Sequence, residues 1–158
     1  MDKKFIDWIR KNDWKLELTD ENFTLPESII ERYTVSKKWL NFISNVKNCT
    51  NSEQNKWFLT INDYSAEYDE GSWGWNDFEM MSLQAAEDDT EWQEEITEFW
   101  NTHFPIFLDI EGDYSYYAID TDSGEVVQGY EPEFEECYTV AETFEDFIAK
   151  ILDGEIIL

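Results

Sequence analysis

Trp100-Asn101-Thr102-His103-Phe104-Pro105-Ile106-Phe107-Leu108-Asp109-Ile110-Glu111-Gly112-Asp113-Tyr114-Ser115-Tyr116-Tyr117-Ala118-Ile119-Asp120-Thr121-Asp122-Ser123-Gly124-Glu125-Val126-Val127 is the stretch that decides the fold. It opens on the end of a helix, which Pro105 closes because the residue before a proline prefers an extended backbone. Aromatic and β-branched residues then predict a strand, and Gly112-Asp113 a turn. Ser115 to Asp120 predicts a second strand, Ser123-Gly124 a second turn, and Glu125-Val126-Val127 the start of a third strand. Turns this short join neighbouring strands, so residues 104–130 form a meander.

Working outward toward the N-terminus, Phe5, Ile6, Trp8 and Ile9 recur at helical spacing and predict a short amphipathic helix over residues 3–11. Residues 14–18 alternate and suit a strand. Pro26 lies near the start of one or two helical turns over residues 25–33, where a missing N–H costs nothing. Ser36 is placed to cap a helix running to about Val46, with Trp39, Leu40, Phe42, Ile43 and Val46 on its apolar face. Residues 48–53 read as a loop and residues 56–61 as a strand. A helix over residues 78–86 follows, then one over residues 91–101 capped by Thr90. The second carries Glu91, Glu94 and Glu95 in its first turn, where the helix dipole favours acids. Trp92, Ile96, Phe99 and Trp100 are its expected buried face. Toward the C-terminus, residues 134–140 predict an extended run. Thr143 then caps a last helix over residues 144–152, and Gly154 stops it. No repeat, linker or boundary divides the chain, so one domain over residues 1–158 is expected.

The formal net charge is −26, and it is unevenly placed. Ten of the eleven basic residues lie between Lys3 and Lys56, and the last is Lys150. Residues 57–149 hold no Lys or Arg but 26 of the 37 acids. Such a field repels nucleic acid, whose phosphates need Lys and Arg, and disfavours anionic membranes. It favours a basic protein partner, or it serves solubility alone. An aromatic content of 17% separates the chain from disordered acidic tails. Two cysteines, Cys49 and Cys137, make no disulfide framework. The N-terminus shows no signal peptide and no apolar run is long enough to span a membrane, so a cytoplasmic setting is expected.

Candidate chemistry is sparse. His103 is the only histidine. Ser115 and Asp113 are present, but no nucleophile motif accompanies them. Cys49 and Cys137 lack zinc-ligand spacing, and Glu133, Glu135 and Glu136 around Cys137 oppose a thiolate. Asp120-Thr121-Asp122-Ser123-Gly124-Glu125 resembles the start of a calcium loop, and Glu131 falls at its twelfth position. Its glycine, however, comes at the fifth position rather than the sixth, so a turn between strands is the better reading. No glycine-rich phosphate loop occurs. No enzymatic role, cofactor or metal is expected.

Phe104-Pro105-Ile106-Phe107, Gly112 to Asp120, Gly124-Glu125-Val126-Val127 and Ala141-Glu142-Thr143-Phe144-Glu145-Asp146-Phe147-Ile148 together resemble the SUKH superfamily. This is the group of bacterial immunity-type proteins related to the yeast cell-wall regulator Smi/Knr. The shared pattern is an apolar strand near a proline, a Gly-Asp turn, a strand ending in Asp, a glycine-containing turn, a third strand and a closing S/T-F-x-x-F helix. The resemblance covers residues 99–152. It implies an α+β domain with an antiparallel or mixed sheet covered by helices. It also implies a non-enzymatic protein that binds and neutralises a cognate toxin, often a nuclease.

The expected function is therefore an immunity protein that engages a basic toxin through an acidic surface. The alternatives are a regulatory scaffold of the same fold that binds a basic cellular protein, and a small-molecule or calcium-binding module. The residues expected to meet the partner are Asp69, Glu70, Trp73, Trp75, Asp88, Asp89 and Glu91, where acids flank aromatic anchors. Trp73 and Trp75 have a second reading as core residues, since tryptophan is mostly buried.

Overall fold

A computed structural model describes every residue except Asp2, Asn22 and residues 66–71. Its centre is the expected meander: β4 (His103–Asp109), β5 (Ser115–Asp120) and β6 (Val126–Tyr130). Gly112 and Gly124 turn the chain at φ 73° and 83°, a left-handed backbone that costs glycine little. Around it lie β1 (Lys15–Leu18), β2 (Val46–Thr50), β3 (Lys56–Phe58) and β7 (Cys137–Ala141). The seven strands form one sheet in chain order, and every pairing is antiparallel.

Six helices among the described residues complete an α+β domain: α1 (Lys3–Lys11), α2 (Glu27–Arg32), α3 (Lys37–Ile43), α4 (Asp77–Ala85), α5 (Thr90–Thr102) and α6 (Phe144–Asp153). β4 and β5 are buried on both faces, which explains why their sequences are nearly continuous in apolar residues. Tyr116 and Tyr117 are neighbours on β5 and point to opposite sides. Tyr117 meets Phe107 and Phe147 of α6, continuing into a ring cluster with Phe58, Phe5 of α1 and Phe42 of α3. Tyr116 meets Trp100 of α5, Phe78 of α4 and Phe134. No helix among the described residues is long and apolar enough to cross a membrane.

Several local expectations are corrected. Asn48, Cys49 and Thr50, read as a loop, belong to β2. Their pairing with Lys15–Leu18 across the chain supplies the order that local propensity lacks. The helix expected to reach Val46 ends at Ile43, and Val46 opens that strand. The strand expected over residues 56–61 is paired only as far as Phe58. The last strand begins at Cys137 rather than at Phe134, whose ring is held in the core by stacking on Phe78 at 4.5 Å. Pro26 is the N-cap of α2 rather than part of its first turn. Asp89, not Thr90, caps α5, accepting a hydrogen bond from the Trp92 amide at 3.1 Å. Ser36, Thr143 and Gly154 cap the helices expected of them.

Candidate partner-binding surface

α4 and α5 form a hairpin beside the Tyr116 face of the sheet, and the loop over residues 131–136 rises next to it. Three interactions hold these parts. The Arg32 guanidinium donates to both carboxylate oxygens of Glu79 on α4, at 2.9 and 2.6 Å, and to the side-chain Oδ1 of Asn101 on α5 at 2.9 Å. The Trp100 indole donates to Glu135 at 2.6 Å. The Tyr116 hydroxyl donates to the Phe134 carbonyl at 2.6 Å, and burial keeps that phenol far from ionising. The loop is thereby tied to both the sheet and α5.

A groove of about 730 Å³ remains between the hairpin and the loop. Met81, Ala85, Trp92 and Phe134 supply apolar lining, and Glu95, Glu131, Glu133 and Glu136 supply acidic lining. A second hollow of about 740 Å³, bordered by Trp73, Asp77, Met80, Met81 and Leu83, adjoins it at Met81. Trp92 and Met80 are 42% and 54% exposed, large apolar side chains left at the surface. α4, α5 and the loop contain no Lys or Arg. The cation reaching α4 and α5, Arg32, is already bound to Glu79.

The residues singled out from sequence divide four ways. Asp88, Asp89 and Glu91 are exposed at the turn between α4 and α5, one to four positions before Trp92. Trp73 is half-buried, packs edge-on against Phe78 and Tyr114, and borders the second hollow. Trp75 is also half-buried but turns inward, against Tyr33, Tyr64 and the Arg32 guanidinium 5.9 Å from its ring centre. Asp69 and Glu70 lie outside the described residues. Met80, Met81, Trp92, Glu95 and Glu131 to Glu136 were not singled out. The expectation that Trp92 packs inward is corrected, because its neighbours frame a groove instead of closing over it. The available signal was three carboxylates around one aromatic at Glu133-Phe134-Glu135-Glu136.

The residues considered for catalysis are dispersed. Strand register puts His103 opposite Asp120 at one end of the β4–β5 pair and Ser115 opposite Asp109 at the other, too far apart for a triad. The His103 ring stacks on Phe99 at 3.8 Å, with Nδ1 2.8 Å from the Phe99 carbonyl oxygen. Burial alone would raise the Asp120 carboxyl. Hydrogen bonds from the Ser123 hydroxyl and the Asp122 and Ser123 amides, together with nearby His103, carry it below its ordinary range. That carboxylate is occupied in shaping the turn. Among the described residues no group of three His, Cys, Asp or Glu side chains is arranged to hold a metal ion. Cys49 is buried in β2 and its thiol is pushed up to about 12. Cys137, half-buried in β7, is raised by burial.

Compared with family models, curated proteins and solved structures, the chain matches none of them.

Proposed function

We propose that this protein is an immunity protein of the SUKH type, acting in the cytoplasm of the cell that makes it, where it binds and neutralises a basic toxin. The observation that carries the reading is the α4–α5 face. It places an exposed tryptophan and methionine among carboxylates with no basic side chain on the same elements. Apolar anchors surrounded by charge are the usual make-up of a protein-binding surface. A nuclease holds phosphate with Lys and Arg, so an acidic face competes for the same groups and accelerates encounter. The reading requires no catalytic step.

Co-expression with the toxin encoded beside this gene tests it. Survival of cells carrying both genes, and death of cells carrying the toxin alone, is the expected result. Failure to protect against every neighbouring toxin overturns the reading. Capture of a basic protein that is harmless when expressed alone replaces it with the regulatory-scaffold alternative.

A further inference from the structure

We infer that the groove between α4, the first turns of α5 and the 131–136 loop receives a basic segment of the partner protein, in which an arginine flanks an apolar side chain. The inference rests on the proposed binding role and assigns it a place and a chemistry. The apolar and the acidic lining of the groove ask for different things. Met81, Trp92 and Phe134 offer apolar surface to one side chain, and methionine adapts its shape to what arrives. Glu95, Glu131, Glu133 and Glu136 line the same groove with negative charge and no Lys or Arg among the lining residues, so an occupant without positive charge would leave them repelling one another.

A separate observation points to the same occupant. Ser82 on α4 borders the groove, is only 6% exposed, and its Oγ has no hydrogen-bond partner in the protein. A buried hydroxyl without a partner costs free energy, and an incoming polar group that displaces its cover and bonds to it reduces that cost. A guanidinium has five N–H groups, enough to engage the hydroxyl and a carboxylate together, whereas a lysine is a point charge.

The three methionines make a direct test, because Met81 borders the groove, Met80 the adjoining hollow, and Met1 a separate groove formed with α3 and α6. The full chain, with isotope-labelled methionine methyl groups, is titrated with a synthetic peptide of alternating arginine and leucine pairs. Two controls are used, one with serine for leucine and one with glutamate for arginine. The expected result is a saturating shift of Met81 with the arginine–leucine peptide and none of Met1. Trp92→Ala and the double variant Glu95→Lys/Glu133→Lys should each weaken binding about tenfold while leaving the circular dichroism unchanged. Equal binding of the serine peptide, an unmoved Met81, or unchanged affinity in the double variant overturns the inference. The co-expression assay separates the two proposals. If groove variants still protect against the toxin, the groove assignment falls and the function stands. If the groove takes the peptide but no toxin is neutralised, the function falls and the groove stands.

Discussion

Arg32 grips Glu79 with both arms of its guanidinium, and the two side chains are 23% and 8% exposed. The same guanidinium lies over the rings of Tyr33 and Trp75. A cation from the nearly neutral first third of the chain is thus one of the ties that hold the acidic α4–α5 hairpin. Breaking a shielded pair strands the remaining charge, so Arg32→Ala should lower stability by about 3 kcal/mol in urea unfolding. Arg32→Lys keeps the charge but loses the fork, and should recover only part of that loss. Equal midpoints for Arg32→Ala and the parent would show that the pair does not hold the hairpin.

Two tryptophans on α5 should behave oppositely. Trp100 is 1% exposed, and its truncation to alanine should cost about 4 kcal/mol. Trp92 is 42% exposed, and Trp92→Ala should change stability by less than about 1 kcal/mol. Thermal unfolding of both variants checks the contrast.

Gly129 on β6 is fixed by packing rather than by backbone angle. A methyl group there would stand 2.6 Å from the Phe134 carbonyl oxygen and 2.6 Å from the Tyr116 ring and hydroxyl. Gly129→Ala should cost about 3 kcal/mol and loosen the 131–136 loop, which amide exchange at residues 131–136 would reveal.

Stability should peak on the acid side of neutrality. At pH 7 the charge of −26 repels itself, and both added salt and partial protonation relieve this. Asp120 opposes the trend at low pH. Its folded pKa lies below the ordinary 3.8, so the unfolded chain binds the proton first. The stability this carboxylate contributes is therefore present above 3.8 and is lost as pH falls through its folded value. Glu145, lowered chiefly by its bond from Lys38, acts in the same direction. The melting temperature should rise from pH 8 to a maximum near about pH 5 and then fall. Asp120→Asn should flatten the acid limb, and an unchanged limb would exclude this carboxylate as its source.

The two thiols should report different events. At neutral pH a maleimide should label the half-buried Cys137 slowly, and the fully buried Cys49 only on global unfolding. Mass spectrometry of the labelled chain over a urea series would show the two steps. Simultaneous labelling in native buffer would mean that β2 opens locally.

The meander was legible because β4 and β5 are buried on both faces and their turns carry glycine at positive φ, so composition, pattern and turn chemistry agree. β2 was not, because Lys47, Asn48 and Thr50 carry no strand pattern of their own and their order comes from β1, about thirty residues earlier. The acidic surface was half legible. Asp88, Asp89 and Glu91 stood out by charge, but Trp92 fell at a helical position that normally faces a core. Only the distant 131–136 loop, held by Tyr116 and Trp100, makes that position part of a groove.

β3 and β4 pair directly, Trp57 opposite Leu108, although residues 59–102 separate them in sequence. The acidic hairpin therefore leaves the sheet and re-enters it between immediate neighbours, and no strand is threaded past another. The excursion is nonetheless anchored, since Leu59, Ile61, Tyr64, Phe78, Ile96 and Trp100 are all buried in the core. The groove is not carried by this excursion alone, because the 131–136 loop that completes it follows β6, so reshaping that face takes changes in two separate segments.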